Sequence, residues 1–346
     1  MVGIGIIEGF FGPEWSWKSR HQFCESLQSY GGEFYLYAPK RDSHLRRQWE
    51  QDHPTDVWNE LKRLSVQCHR ANVAFGIGLS PFEIYSRWNE KTKRLLREKV
   101  QKLEELDITY LGLFFDDMRG SSDLAEKQLE IVNYVRSNTD KTLLFCPTYY
   151  SDDPLLDQIF GQRSPHYLQQ MGTLSADIQI FWTGSNVISK SISAEELKAV
   201  AGVLQRKPMI WDNYFANDGP KQCRFLKLKP LEGRNRETFK SSVGWAFNLM
   251  NQPSLSETVF ASSVDVLQKG TLPSESFYDA TQRLAGAELA SSLKAFGETF
   301  VTLGLDTIDV DRKVHILSTL SENRFSRDIV DWLDGKYLVG DECLTD

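Results

Sequence analysis

Short runs of apolar residues alternate along this chain with longer segments in which apolar positions recur every three or four residues. The short runs are GIGIIEG, EFYLYAP, VAFGIGLSP, ITYLGLFFDD, TLLFCPTYY, IQIFWTG, PMIWDNY and SSVGWAFNLM. Near-continuous apolar runs of this length are typical of parallel strands that are buried on both faces. The longer segments predict helices near residues 14–30, 56–71, 91–106, 123–136, 165–171, 194–205 and 256–267, with a weaker segment after the seventh run.

The order of these elements predicts an α/β protein in which eight strand–helix units follow one another. Eight such units close naturally into a (β/α)8 TIM barrel, and the alternative is an open, doubly wound parallel sheet. After about residue 275 the strand pattern stops and the remaining sequence has helical periodicity. We therefore expect a barrel over residues 1–270 and a small C-terminal helical extension over residues 271–346.

The composition narrows the class of protein and of partner. Of the 346 residues, 41% are hydrophobic and 25% are charged, which is ordinary for a globular protein with a large core. The formal net charge of −7 argues against nucleic acid or an anionic membrane as the main partner. No apolar segment approaches the roughly 20 residues that span a bilayer, and the apolar start, about six residues long, is too short for a signal peptide.

The chain carries few signals for a metal or a cofactor. Its cysteines are odd in number and widely dispersed, at Cys24, Cys68, Cys146, Cys223 and Cys343. This usage predicts reduced thiols in a cytoplasmic protein. The six histidines show no H-x-H or H-E-x-x-H spacing, and the G-x-G of the first run lacks the third glycine of a dinucleotide site. We predict neither a metal nor a cofactor.

Most of the apolar runs end in polar or aromatic side chains. In a barrel, the C-terminal ends of the strands meet at one face, and active sites lie there. Aromatic rings combined with carboxylates and amides suit a sugar, because its C–H face packs on the rings while its hydroxyls need donors and acceptors. The pattern favours a carbohydrate site at this face, where the runs end in residues 8–12, 38–42, 116–117, 146–150, 182–184, 211–213 with Asn217 and Asp218 beyond, and Asn248.

The adjacent acids Asp116 and Asp117 need a separate explanation, because each carboxylate makes the other costlier to ionise. Retaining glycosidases usually hold two carboxyls about 5 Å apart across the sugar, and inverting ones about 6.5–9.5 Å apart. Neighbours on one strand fit neither arrangement well. If one acid holds a 2-acetamido group and the other exchanges a proton with the leaving oxygen, the acetamido carbonyl can itself attack. The alternative without function is a helix cap or a solvated loop.

Seven motifs along the chain resemble, in the same order, those of glycoside hydrolase family 84. They are GIIEGFFGPEW, YLYAPK, LFFDDM, FCPTYY, FWTG, WDNYFANDGP and the asparagine of WAFNLM. The family comprises O-GlcNAcases and β-N-acetylglucosaminidases, and some bacterial members are labelled hyaluronidases. The resemblance runs from about residue 3 to about residue 265. It implies a catalytic TIM barrel that acts as a retaining exo-β-N-acetylglucosaminidase, by substrate-assisted catalysis through an oxazoline.

The resemblance also implies a role for each matching residue. Asp116 would orient and polarise the acetamido N–H, Asp117 would be the general acid and then the base, and Tyr150 would hydrogen-bond the acetamido oxygen. Because Asp117 must start protonated, its pKa is expected above the usual range, with the neighbouring charge as one cause. Trp211 and Cys146 would line the acetyl pocket. The other positions that match sugar-binding residues are Gly9, Lys40, Asn213, Asp218 and Asn248.

At four positions the chain departs from the common family pattern. Phe11 stands where a tyrosine is frequent and Tyr149 where a glutamate is, while Arg41 and His44 change the segment after the second strand. We expect these changes to affect the rim of the site rather than the reaction. Two other functions stay open, a barrel that binds GlcNAc without turnover and a metal-dependent barrel hydrolase. The aglycone (glycoprotein, glycopeptide or oligosaccharide) and the oligomeric state are also open.

Overall fold

Eight parallel strands form a closed barrel in the computed structural model, which describes residues 2–121, 123–340 and 343–345. Each strand pairs with the next along the chain, and the eighth pairs with the first, so that Ile4 lies beside Trp245. The predicted (β/α)8 barrel is confirmed, and the open sheet is wrong. The strands are β1 (Gly3–Glu8), β2 (Phe34–Tyr37), β3 (Ala74–Leu79), β4 (Tyr110–Phe114), β5 (Thr142–Cys146), β6 (Gln179–Trp182), β7 (Met209–Asp212) and β8 (Gly244–Asn248).

Helices follow the strands and cover the barrel. Side-chain caps at Ser16, Asn89, Ser193 and Asn235 accept backbone N–H groups and fix where several of them begin. No helix in the described ranges is both long enough and apolar enough to cross a membrane. The helices are α1 (Trp17–Leu27), α2 (Thr55–Arg70), α3 (Glu90–Glu104), α4 (Leu124–Arg136), α5 (Pro154–Phe160), α6 (Tyr167–Met171), α7 (Ala194–Leu204), α8 (Arg236–Lys240) and α9 (Pro253–Val264).

The interior of the barrel is aromatic where it supports the strand ends. The ring of Phe114, the last residue of β4, packs edge-on against Trp211 at 5.4 Å and Phe181 at 5.8 Å between centroids. Glycines on two strands make room for this ring, since a Cβ added at Gly112 or Gly78 would lie 2.7 Å or 3.0 Å from its carbons. A larger residue at either position would displace Phe114 and the acidic pair that follows it.

After the barrel the chain is helical, as predicted, with α10 (Pro273–Glu298), α11 (Val310–Ser318) and α12 (Arg324–Leu333). These helices pack against the barrel on the side of α9. The carboxylate of Asp328 accepts the backbone N–H groups of Ser254 and Leu255 at 2.7 and 3.1 Å, and Trp332 donates its indole N–H to the carbonyl of Cys223 at 3.1 Å. The boundary between residues 270 and 271 stays a prediction.

The pairing of the cysteines differs from the prediction of five thiols. Cys24 on α1 and Cys68 on α2 form a disulfide, with their Cα atoms 5.8 Å apart. Both are buried where the two helices pack, and 44 residues separate them, so their spacing in the sequence gave no sign of the pairing. Cys146, Cys223 and Cys343 take part in no disulfide within the described residues.

Candidate active site

One pocket at the C-terminal face of the barrel is lined by all ten residues that the family resemblance implies for the site. They lie at the C-terminal ends of six strands, β1, β2, β4, β5, β7 and β8, or in the segments that follow them. The barrel therefore brings together positions that are up to 239 residues apart, as between Gly9 and Asn248. The ten residues are Gly9, Lys40, Asp116, Asp117, Cys146, Tyr150, Trp211, Asn213, Asp218 and Asn248.

Asp116 has one oxygen paired and one without a partner. Its Oδ2 accepts a charge-assisted hydrogen bond from Nζ of Lys40, and both side chains are almost fully buried. Its Oδ1 is also buried but accepts no hydrogen bond from any residue of the described ranges. Buried polar atoms normally have a partner, so an unpaired carboxylate oxygen in the lining of a pocket is a ready acceptor for a ligand N–H or O–H group.

Asp117 lies in a different environment from its neighbour. Its backbone has a φ of 57°, in the left-handed region that side chains other than glycine rarely adopt. The hydroxyl of Tyr150 donates to its Oδ1 at 3.4 Å. Burial raises the pKa of Asp117 most, and the charge of Asp116 raises it further, against the opposing effects of Lys40, Arg46 and the hydroxyl bond. The direction agrees with the sequence prediction, but the main cause is burial.

Trp211 forms a wall of the pocket and is held by close packing and by a small hydrogen-bond network. A Cβ at Gly9 would lie 2.8 Å from Cη2 of the indole, so only glycine lets the ring pack here. The indole N–H donates to Oδ1 of Asn213 at 3.0 Å, and Nδ2 of Asn248 donates to the same oxygen at 2.9 Å. Oδ1 of Asn248 in turn accepts the N–H of Gly9 at 3.3 Å.

Cys146 and Asp218 complete the predicted set. Burial, and then the charge of Asp116, raises the pKa of the Cys146 thiol well above its usual value, so the sulfur is neutral and a poor nucleophile. It is a wall residue, as the sequence favoured. Oδ2 of Asp218 accepts the backbone N–H of Phe11 at 2.6 Å, which holds this carboxylate beside the segment that follows β1.

Of the four departures from the family pattern, only Phe11 lines the pocket. Tyr149 is directed away from it, because its hydroxyl donates to the carbonyl of Gly161 at 2.5 Å. The ring of His44 lies 5.2 Å from that of His53, outside the lining.

Several lining residues are not among these ten. Thr183, Val187 and Ile188 follow β6; the sequence placed Thr183 among the strand ends at this face without a role, and it gave no signal for Val187 or Ile188. Cys343 and Thr345 reach the pocket from the far end of the chain, and Thr345 lies beside Tyr150 there. No motif marks that end of the chain. Within the described residues, no three His, Cys, Asp or Glu side chains converge as a metal site.

Comparison with known proteins identifies the family. A family profile described as beta-N-acetylglucosaminidase matches residues 4–298. The chain belongs to the β-N-acetylglucosaminidase family. Among relatives of this family it is 31% identical over 245 residues to Protein O-GlcNAcase of Rattus norvegicus, and equally to that of Mus musculus. Each match covers 67% of this chain but 26% of the relative, so the chain spans about a quarter of these proteins.

The structural comparison agrees with the family assignment. The chain superposes on a mutant of the Thermobaculum terrenum O-GlcNAc hydrolase with a TM-score of 0.80 and 25% sequence identity. The match covers 96% of this chain and 80% of the other. The resemblance of the seven motifs to glycoside hydrolase family 84 is thereby confirmed, whereas the roles of the individual site residues stay predictions.

Proposed function

We propose that this chain is a retaining exo-β-N-acetylglucosaminidase that releases terminal β-linked GlcNAc by substrate-assisted catalysis. The observation that carries this proposal is that two adjacent acids, Asp116 and Asp117, have different partners and different tendencies to hold a proton. Asp116 is paired with Lys40 and keeps one buried oxygen without a partner, whereas Asp117 is buried beside that charge and has a raised pKa. One acid is thus suited to accept a hydrogen bond and the other to hold a proton.

In the first step, the unpaired Oδ1 of Asp116 would accept the acetamido N–H of the substrate. The acetamido carbonyl oxygen then attacks the anomeric carbon, while Asp117 gives its proton to the leaving oxygen. The anionic Asp116 stabilises the positive charge that develops on the amide nitrogen. Tyr150, whose hydroxyl reaches Asp117, would steady the carbonyl oxygen, and Trp211 would pack against the acetyl methyl group.

In the second step, the ionised Asp117 would take a proton from water as the water attacks the anomeric carbon of the oxazoline. Attack from the face that the aglycone has left restores the original anomeric configuration, because two inversions occur in succession. Asp117 ends this step protonated again, ready for another cycle. The protein supplies no nucleophile, which agrees with the neutral Cys146 in the pocket wall.

The decisive test compares an aryl β-N-acetylglucosaminide with the aryl β-glucoside that differs only in having a 2-hydroxyl group. We expect turnover of the first, no measurable turnover of the second and strong inhibition by a thiazoline that mimics the oxazoline. Equal hydrolysis of both substrates, or a trapped glycosyl ester on the protein, would contradict the mechanism.

Asp116 and Asp117 offer a matched pair of variants. In Asp117→Ala, aryl glycosides with poor leaving groups should lose the most activity, because good leaving groups need little protonation. In Asp116→Ala, the loss should be similar for all leaving groups, since the acid is still present. The same dependence in both variants would contradict the division of roles.

The names of the relatives favour a glycosylated polypeptide as the substrate. Side-by-side hydrolysis of a GlcNAc-modified peptide, a chitin oligomer and a hyaluronan fragment would identify the aglycone, with the peptide expected to react fastest. Calorimetry that detects GlcNAc binding without turnover would instead support an inactive binding barrel, and loss of activity with a chelator would support a metal-dependent hydrolase. The cytoplasmic location stays a prediction.

A further inference from the structure

Three arginines are buried among the described residues, and one of them has no carboxylate partner. Arg20 forms a two-pronged contact with Glu8 at 2.6–3.0 Å, and Arg234 forms one with Asp212 at 2.9–3.0 Å. Arg46 is only 5% exposed, yet no Asp or Glu of the described ranges lies within ion-pair distance of it. The first two arginines have the counter-charge that burial requires, and Arg46 does not.

The surroundings of Arg46 compensate its charge only in part. Its guanidinium lies 4.9 Å from the ring centre of Phe82 and 5.6 Å from that of Phe11. Its Nη2 donates to the backbone carbonyl of Asp117 at 3.3 Å, while its Nε is buried and has no partner within the described residues. A cation in such a place costs folding free energy, and groups held at such a cost are typical of functional sites.

We propose that Arg46 is a positioning residue for the general acid. Its guanidinium donates a hydrogen bond to the backbone carbonyl of Asp117 and so stabilises the left-handed backbone conformation of that residue. Its positive charge stabilises the carboxylate that forms when Asp117 gives up its proton. This inference rests on the proposed function, since it assumes that Asp117 is the acid.

The balance of charge around Asp117 explains why a second cation is needed. The groups that act on this carboxyl are Asp116 from the same strand end, Lys40 and Arg46 from the segment after β2, and Tyr150 from the segment after β5. The thiol of Cys343 also faces the site, and burial keeps it neutral.

Before proton transfer, Lys40 matches the single charge of Asp116. After proton transfer two adjacent carboxylates, Asp116 and Asp117, stand at the end of β4, and Arg46 is the cation beside them without a carboxylate of its own. The second negative charge therefore has a counter-charge only while Arg46 is present.

Three variants test this role. Arg46→Met removes the charge but keeps a long apolar side chain, and Arg46→Lys keeps the charge but not the planar fork. Arg47→Met is the matched control, because Arg47 also lies over Phe82, at 5.0 Å, but is exposed. The assay is the pH dependence of kcat/KM on an aryl β-N-acetylglucosaminide, whose basic limb reports the pKa of the acid in the free enzyme.

In Arg46→Met we expect kcat/KM to fall most for poor leaving groups and the basic limb to move to higher pH by on the order of one unit. Arg46→Lys should keep the limb near its wild-type position while recovering only part of kcat. Arg47→Met should match the wild type in both measurements. We also expect Arg46→Met to unfold at no lower urea concentration than the wild type, since it removes a buried charge without a partner.

Each other outcome overturns the inference. If Arg46→Met unfolds at a lower urea concentration than the wild type, Arg46 stabilises the folded state and is not held there at a cost. If its limb does not move, or if Arg46→Lys moves the limb equally far, the charge does not act on Asp117. Failure of the proposed function looks different, because the wild-type chain would then not hydrolyse the glycoside at all.

Discussion

The buried carboxylate of Asp328 helps to join the C-terminal helices to the barrel. Its Oδ2 accepts two N–H groups at the start of α9, from Ser254 and Leu255, and its Oδ1 accepts the hydroxyl of Tyr337 at 3.3 Å. These donors lower its pKa, but burial outweighs them and raises the pKa to about 6. Asp328→Asn keeps an acceptor oxygen and nearly the same shape, and it removes the charge. This substitution therefore isolates the effect of ionisation on stability.

The pKa of Asp328 in the native and unfolded states determines whether its ionisation stabilises or destabilises the fold. The unfolded carboxyl titrates near pH 3.9, so between about pH 4 and pH 6 the native state keeps a proton that the unfolded state has lost. The contribution of Asp328 to stability is therefore complete below pH 4 and falls as the pH rises through 6. A pKa raised by about two units corresponds to a loss of about 3 kcal/mol in the free energy of unfolding over the whole titration. About 2 kcal/mol of this loss occurs between pH 4.5 and pH 7.5.

The assay is urea unfolding of the wild type and of Asp328→Asn, followed by tryptophan fluorescence at pH 4.5, 5.5, 6.5 and 7.5. We expect the variant to gain about 2 kcal/mol relative to the wild type across this range. Asp334→Asn is the control, because Asp334 is exposed and its pKa is lowered by Lys313, so it should show no such gain. A difference between Asp328→Asn and the wild type that does not change with pH would refute the reasoning.

Three further changes test the pocket. Tyr150→Phe should lower kcat by about 10- to 100-fold, because a hydrogen bond to a charged group is worth about 1.5–3 kcal/mol; an unchanged kcat in steady-state assays would contradict a role for the hydroxyl. Gly9→Ala should raise the Kd of a thiazoline inhibitor, measured by calorimetry, by about tenfold or more, because the new methyl group displaces Trp211. Tyr149→Phe should leave kcat/KM within about twofold, because its hydroxyl bonds outside the pocket.

The barrel and most of its pocket could be predicted because one geometric rule connects sequence to proximity. Apolar runs identify strands, and in a parallel barrel every strand end lies at the same face. Lys40 and Asp116 are 76 residues apart, but each follows a strand directly, so their meeting needed no knowledge of the loops. Short helices were harder to predict from the sequence. Helix α5 has only seven residues and therefore little periodicity, although Asp153 and Pro154 are typical of a helix start.

Contacts made through loops and between helices could not be foreseen in the same way. Cys24 and Cys68 meet because two helices pack together, and Thr345 reaches Tyr150 by a path that no repeating pattern encodes. Arg46 contacts the rings of Phe11 and Phe82, which come from the segments after two other strands. In each case the determining interaction is between tertiary neighbours, and the local sequence does not specify which neighbours they are.

In the acidic pair, the local sequence determines that two carboxyls are adjacent, and tertiary contacts determine which of them is protonated. The sequence placed two identical side chains next to each other, and their mutual repulsion alone would not decide which one keeps the proton. That decision comes from other strands. Lys40, from the segment after β2, contacts Asp116 and leaves Asp117 without an ion pair in a buried site. If this is the cause, Lys40→Met should lower kcat/KM by a similar factor for all leaving groups, as Asp116→Ala should, because Asp116 then lacks the cation that keeps it ionised. A loss confined to poor leaving groups would mean that the lysine acts on Asp117 and does not set the difference between the two acids.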